Sequence, residues 1–344
     1  LIESESYEKY ENEGTWKEQD IRDDYITDLI ARLPLDKKFK VVIDPSNTTA
    51  GDIVPEVLQQ AGCTVIEQNT KLDPTFPLGN ADPTENDVAL RLQKGVRESN
   101  ADVGFSYDSD GDRIGIVDEK GTILWNDVLV ALFAIDVLDS YPGSIIMYNT
   151  LCSKAVAETV KKYGGTSFMW RTGHSFLKKK NQEVGAAFIG ELSGHFFFSK
   201  DFFNHDDGIY ATLRLLSYMA KSGKNLSELI AQIPVYISSP EIKLFCPDDE
   251  RLSIIEKMSK QARDDFPDAE VIDDERAGDG IRLEMPEAMF VIRYSQNGPY
   301  ITVKFEAKTQ KEYDDFRSYI NKLLHSYDEI DWKSSINVNM EALT

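Results

Sequence analysis

Phe39-Lys40-Val41-Val42-Ile43 and Cys63-Thr64-Val65-Ile66-Glu67 are two short β-rich runs, and the residues between them, Asp52 to Ala61, carry apolar side chains at helical spacing. Strand, helix and strand in that order make a βαβ unit, which places the chain in the α/β class. The pattern continues outward. A Pro-rich loop with Pro74, Pro77 and Pro83 leads to a helix from about Glu85 to Ser99 and a strand from Ala101 to Tyr107. Ile114 to Val117 and Thr122 to Leu124 read as a hairpin through Glu119-Lys120-Gly121. A second series then repeats the grammar: helix Asp127 to Leu138, strand Ser144 to Tyr148, helix Ser153 to Tyr163, a Gly164-Gly165 turn, strand Thr166 to Trp170, strand Ala186 to Ile189 and helix Asp207 to Met219. Past Pro234 and Pro240 the style changes to a helix over 248–265, three strand-like runs at 280–285, 289–293 and 300–306, and a helix over 309–325. The expected architecture is two consecutive α/β domains with mixed sheets, 23–124 and 125–239, followed by a smaller α+β domain, 240–344. Residues 1–22 are polar and acidic and read as a connector.

Composition excludes several functions. Lys+Arg 38 against Asp+Glu 59 gives 38 − 59 = −21, so the surface repels polyanions, and neither nucleic acid nor an anionic membrane is an expected partner. A phosphorylated ligand would need a locally positive pocket. The longest apolar run, Val128 to Leu138, is interrupted by Asp136 and falls far short of the ~20 residues that cross a bilayer. Three scattered cysteines, Cys63, Cys152 and Cys246, favour a reducing, cytoplasmic setting over a disulfide framework.

Four loops carry chemistry. In Tyr107-Asp108-Ser109-Asp110-Gly111-Asp112-Arg113 three carboxylates alternate, and Gly111 lets the backbone curl so that their oxygens converge, which suits a hard cation such as Mg²⁺ or Ca²⁺. The spacing also matches an EF-hand at Asp108, Asp110, Asp112 and Glu119, but Arg113 stands where that loop needs Gly and the flanks read as strands. A solvated acidic turn is the plain alternative. Arg113 beside the carboxylates is well placed to hold a phosphate that also touches the ion. Gly190-Glu191-Leu192-Ser193-Gly194-His195 follows an apolar strand and gathers a carboxylate, a hydroxyl and an imidazole suited to sugar hydroxyls, although an ordinary turn would also explain it. Arg171-Thr172-Gly173-His174-Ser175, with Lys178-Lys179-Lys180 behind it, is the densest basic stretch and opens at a predicted helix start, a favourable place for phosphate; at least two of those lysines read as a solvated helix face. Arg293-Tyr294-Ser295-Gln296-Asn297-Gly298-Pro299 lies between two strand-like runs and offers a guanidinium, a hydroxyl and an amide, or is simply a hairpin turn.

Taken in order, these loops resemble those of the α-D-phosphohexomutases, and within them the bacterial or archaeal phosphomannomutase/phosphoglucomutase branch, from about Lys40 to the last helix. The resemblance implies that Asp108, Asp110 and Asp112 are Mg²⁺ ligands and that Arg113 and His174 are catalytic. Arg171, Glu191, Ser193, His195, Arg293, Ser295 and Asn297 would bind substrate, so the three domains would bind metal, sugar and phosphate in turn. The implied reaction interconverts hexose 1-phosphate and hexose 6-phosphate, of mannose or glucose, through a phosphoserine and a hexose 1,6-bisphosphate. The Ser-His-Asn-Pro loop that carries the phosphoserine in the family does not occur here, and Pro45-Ser46-Asn47-Thr48-Thr49 offers no substitute for it. Residues 1–22 would then be the remnant or linker of a missing first domain, supplied in cis or in trans, and the chain would be inactive alone. A non-catalytic module binding Mg²⁺ and sugar phosphate is the alternative. An aspartyl phosphatase of the haloacid-dehalogenase kind is disfavoured, because Asp112 stands where that motif has Thr. Some relatives carry a basic residue after the strand Ser144 to Tyr148; here Asn149-Thr150-Leu151 follows it.

Overall fold

The computed structural model describes residues 14–295 and 298–344; Asn297 and Gln296 of the last loop lie outside the described residues. Helix α1 (Arg22–Arg32) is the first element of the described residues, and β1 (Lys40–Asp44), α2 (Ala50–Gln60), β2 (Thr64–Glu67), α3 (Asn86–Ser99), β3 (Val103–Tyr107), β4 (Ile114–Asp118) and β5 (Ile123–Leu124) follow. They form a five-stranded sheet in the order β2-β1-β3-β4-β5, with β1 parallel to both β2 and β3 and with antiparallel pairing from β3 onward. Chain order departs from sheet order at β1, so the loops after β1 and β3 leave the same edge, where open α/β sheets place ligands.

The second unit comprises α4 (Asn126–Ser140), β6 (Ile145–Asn149), α5 (Lys154–Lys162), β7 (Thr166–Trp170), α6 (His174–Val184), β8 (Phe188–Gly190), β9 (Phe196–Phe197), α7 (Gly208–Ser222) and α8 (Leu226–Ile230). Its sheet runs β7-β6-β8-β9, parallel except for the last strand. Helix α4 is apolar on all sides and buried from Leu129 to Leu138, as a helix between layers must be. Side chains cap α5 and α7: Ser153 accepts from the amide of Ala155, and Asp207 from that of Tyr210. One buried apolar cluster runs through both units, from Ile26 to Ile233, and also takes in Met289 and Val291.

The third unit holds β10 (Ile237–Ser238), β11 (Ile242–Phe245), α9 (Arg251–Asp265), β12 (Glu270–Ile272), β13 (Gly280–Met285), β14 (Ala288–Tyr294), β15 (Tyr300–Ala307), α10 (Gln310–Leu324) and a closing 3₁₀ turn, Met340–Leu343. All its strand pairs are antiparallel. Ile237 and Ser238 pair with Ala307 and Glu306, so this sheet begins before the boundary read at 239; the run between Pro234 and Pro240 is too short for its alternation to show. Ile281, Leu283, Phe290, Ile292, Val303 and Phe305 face α9 and α10 in a separate core. The opposite face carries Arg282, Glu284, Met289, Val291, Lys304 and Glu306, and it packs on the second unit. Arg282 donates to the carbonyls of Thr150 and Cys152, both at 2.6 Å, and Lys154 Nζ reaches Glu284 at 3.0 Å. Glu306 accepts from the Lys154 amide at 2.8 Å, and the buried ammonium of Lys304 pairs with buried Asp127.

Candidate active site

A cleft of about 390 Å³ opens where the three sheets meet, and it is lined by Asp108, Asp110, Asp112, Arg113, His174, Glu191, Ser193, His195, Arg293 and Ser295. Four loops far apart in sequence therefore face one space. The acidic loop leaves β3 and turns at Gly111, whose φ of 78° is left-handed and favours glycine. Asp108 Oδ1 accepts the amides of Gly111 and Arg113 at 3.1 Å each, and Oδ2 accepts Arg113 Nε at 2.7 Å. One oxygen from each of Asp108, Asp110 and Asp112 lies within 4.8 Å of the others. Burial, together with the neighbouring Asp108, Asp206 and Asp110, pushes the Asp112 carboxyl up to about 7 despite the opposing pull of His195. Three converging carboxylate oxygens with a residual excess of negative charge suit a hard divalent cation.

Arg113 also reaches Asp82 Oδ1 at 3.2 Å; burial opposes its charge, but Asp82 and Asp108 hold its pKa above the ordinary arginine value. The 190–195 loop is pinned to the acidic loop through a bridge between Arg113 and His195. At Gly194, where φ is 100°, a Cβ would come 2.6 Å from the Ile114 carbonyl, so only glycine allows this approach. Glu191 is fully buried and accepts the Gly173 amide at 2.9 Å; burial raises its pKa, partly offset by His195. Asn149 is buried and joins two loops: its Oδ1 accepts the Leu192 amide at 3.2 Å, and its amide faces Thr172 Oγ1 at 3.4 Å.

His174 and His195 stack with centroids 5.2 Å apart. Their environments differ. Nδ1 of His195 lies 2.7 Å from Asp206 Oδ2, and although burial lowers its pKa, Asp206, Glu191 and Asp112 outweigh that and hold it above the usual histidine value. His174 is half exposed, and partial burial and the neighbouring His195 lower its pKa. At neutral pH the pair thus holds one neutral ring beside one that favours the proton. Asp206 joins them to the helix behind: its Oδ1 is 2.8 Å from Lys178 Nζ. Lys178 is therefore paired, and only Lys179 of the three lysines is fully exposed, Lys180 lying 2.6 Å from Glu183.

Arg293 is buried, and its Nε has no hydrogen-bond partner among the described residues. Gly280 sits beside it on β13; a Cβ there would come within 2.5 Å of Arg293 Cβ. Arg171 does not line the cleft: its side chain turns to Asp279 Oδ2 at 3.0 Å and lies over Phe176. The structure adds Asp82, Thr84, Glu241, Lys243 and Tyr300 to the lining. Asp82 and Thr84 sit in the polar stretch Asn80 to Asp87, which reads as a loop and a helix start, Glu241, Lys243 and Tyr300 come from strands or their edges, and Asp206 is hidden beside Asp207, the cap of α7.

A family model described as phosphoglucomutase/phosphomannomutase, alpha/beta/alpha domain II, matches residues 23–121, and the corresponding domain III model matches 125–236. The phosphomannomutase/phosphoglucomutase of Pseudomonas aeruginosa is 34% identical over 315 residues, covering 92% of this chain and 67% of its own length. The crystal structure of a phosphoglucomutase/phosphomannomutase family protein from Burkholderia thailandensis superposes with a TM-score of 0.81 at 31% identity, covering 91% of this chain and 66% of that one. An N-acetylphosphoglucosamine mutase of Aspergillus fumigatus, described in complex with GlcNAc-6P and magnesium, shares the fold at 17% identity and a TM-score of 0.62, covering 88% of this chain and 64% of that one. The chain spans about two thirds of the length of these proteins.

Proposed function

The chain belongs to the phosphoglucomutase/phosphomannomutase family, and from that premise we propose that its cleft binds a hexose phosphate, of mannose or glucose, and serves the interconversion of the 1- and 6-phosphates. The observation that carries this reading is the convergence of the acidic loop, the 190–195 loop and Arg293 on one cleft from three separate sheets. Asp108, Asp110 and Asp112 would hold Mg²⁺, which when bound neutralises charge on a phosphoryl group. Arg113, fixed in place by Asp108 and Asp82, supplies a guanidinium for the oxygens of the moving phosphoryl. Glu191 accepts from sugar hydroxyls while Ser193 donates or accepts, and buried Arg293 with Ser295 holds the phosphate that is not reacting. His174, with its lowered pKa, is suited to take the proton of the attacking hydroxyl, while His195 favours the cationic form that stabilises an oxyanion.

The phosphoryl group itself comes from a serine of a domain not contained in these residues. The 344 residues alone are then expected to bind glucose 1-phosphate or mannose 1-phosphate in calorimetry but to give no mutase turnover with glucose 1,6-bisphosphate present. A folded protein that binds neither sugar phosphate would defeat the reading, and measurable turnover would show that the serine is dispensable. The second reading is a module that binds Mg²⁺ and sugar phosphate without catalysis. In that case a phosphoserine domain from a relative, added in trans, restores no activity.

Metal binding is expected to depend on pH. With the Asp112 carboxyl pushed up to about 7, the metal-free protein holds a proton there that the unfolded chain, at the ordinary aspartate value, releases. Metal must displace that proton. Mg²⁺ affinity should therefore rise by about tenfold per pH unit up to roughly pH 7 and level off above it. For the metal-free protein the sign is opposite: this group's contribution to stability declines as pH rises from the ordinary aspartate value to about 7. Calorimetric titration at a series of pH values reads the first effect, and a flat profile between pH 5 and 7 would show that Asp112 holds no proton there for the metal to displace.

A further inference from the structure

The acidic loop is held from behind by a segment that the proposed reaction does not use. Pro45-Ser46-Asn47-Thr48-Thr49 joins β1 to α2, and two successive residues in it, Ser46 (φ 53°) and Asn47 (φ 63°), are left-handed without being glycine. Such conformations are costly and persist only where surrounding bonds impose them. Here the bonds are visible. Buried Asp44 accepts the Ser46 amide at 3.0 Å, the Asn69 side chain at 3.0 Å and Arg91 Nε at 2.8 Å. Arg91 also donates to Ser46 Oγ at 2.6 Å, and the Asn47 amide donates to the Asn69 carbonyl at 2.7 Å.

This double turn delivers two consecutive hydroxyls to two consecutive carbonyls of the acidic loop. Thr48 Oγ1, buried, lies 2.6 Å from the Pro45 carbonyl and 3.1 Å from the Asp108 carbonyl, and its single proton is shared between them. Thr49 Oγ1 donates to the Ser109 carbonyl at 2.6 Å. The next residue, Ala50, lies directly against the backbone of Gly111, where a Cβ would come 3.3 Å from Ala50 Cβ. The start of α2 thus touches the acidic loop at Asp108, Ser109 and Gly111.

We infer that Thr48 and Thr49 are positioning residues for Mg²⁺ binding, holding the backbone of the acidic loop in its converged form before the ion arrives. The inference rests on the reading of Asp108, Asp110 and Asp112 as the metal site. Without an ion the carboxyl groups crowded in this loop have no cation of their own to gather round, and nothing on the ligand side holds them converged. Bonds to the carbonyls of the first ligand and its neighbour oppose an opening of the loop, so the loop needs less reordering when metal binds. Partners of this outer kind tune metal affinity by about 10- to 100-fold.

The test is Mg²⁺ titration calorimetry on the whole chain, with thermal unfolding of the metal-free protein alongside. The expected result for Thr48→Val/Thr49→Val is a dissociation constant raised by about tenfold, whereas Thr48→Ser/Thr49→Ser binds within about twofold of the unchanged protein. Thr49→Val alone, at an exposed position, removes one bond without risk to folding and should raise the constant by several-fold, with the metal-free unfolding temperature unchanged. A Thr49→Val or double-valine protein that is folded and binds Mg²⁺ as tightly as the unchanged chain would overturn the inference. So would a serine double variant as weak as the valine one, since methyl packing would then be responsible. An unchanged protein that binds no Mg²⁺ removes the metal reading itself, and this inference with it.

Discussion

Lys304→Met is expected to release the last sheet from the second unit, at a cost of about 3–5 kcal/mol, the amount typical for removing one partner of a buried ion pair. Lys304 is buried on the inner face of β15 and pairs with Asp127 at the start of α4. Burial alone would lower its pKa, but Asp127 and Glu306 outweigh burial and raise it, so the ammonium serves two buried carboxylates. In the variant, Asp127 keeps the amides of Val128 and Ser153 as donors but loses its countercharge. Glu306, whose pKa burial already raises, loses the ammonium that opposed this. The cheapest relief is hydration, and hydration requires the interface to open. The cost is therefore capped at the free energy that docks the two units, which also includes Arg282 on the carbonyls of Thr150 and Cys152. Small-angle scattering should show an expanded particle, and the segment around Pro234 to Pro240 should become sensitive to protease. Adding Asp127→Leu should reverse most of the effect, because an apolar pair of similar size costs little at such a site. A compact, protease-resistant Lys304→Met protein with an unchanged urea midpoint would show that the buried pair does not hold the interface.

That interface also explains where sequence reading stops. The alternation in β13, β14 and β15 is plain in the sequence, and the apolar half, Ile281, Leu283, Phe290, Ile292, Val303 and Phe305, is the core it predicts. The other half, with Arg282, Glu284, Lys304 and Glu306, looks like a solvated face, because alternation records only which residues share a side. It cannot tell water from the polar helix starts of a neighbouring unit. The candidate site divides in the same way. Asp108, Asp110, Asp112 and Arg113 are legible because one loop holds them all, and the 190–195 loop because its polar groups are contiguous. Asp82, Glu241 and Lys243 reach the same cleft from segments whose local pattern says only loop or strand. Arg171 shows the opposite limit: its basic, helix-start setting is favourable for phosphate, and the sequence does not show that Asp279, more than a hundred residues away, pairs with the guanidinium. The hydroxyls of Thr48 and Thr49 read as helix-start residues, and what they hold lies 60 positions further along.

Arg293→Ala is expected to weaken hexose phosphate binding by about 3 kcal/mol, somewhat more than a hundredfold, while leaving the fold intact. Two opposed effects decide the sign for folding. A buried guanidinium is costly: burial lowers the Arg293 pKa, the nearby Arg171 adds repulsion, and Glu241, Asp279 and Glu191 offset the penalty without supplying a partner for Nε. Its removal therefore relieves an imperfectly satisfied charge, and the thermal midpoint should stay constant or rise. Binding moves the other way, because a phosphate oxygen facing Nε would complete the guanidinium's bonding in a dry setting where a charge-assisted bond is strong. Arg293→Lys should recover only part of the affinity, since an ammonium restores the charge but not the planar fork. Calorimetry with glucose 1-phosphate and with unphosphorylated glucose separates the possibilities. The loss should appear only for the phosphorylated sugar, and an Arg293→Ala protein that still binds glucose 1-phosphate with unchanged affinity would show that the phosphate sits elsewhere in the cleft, with Lys243 as the next cation in line.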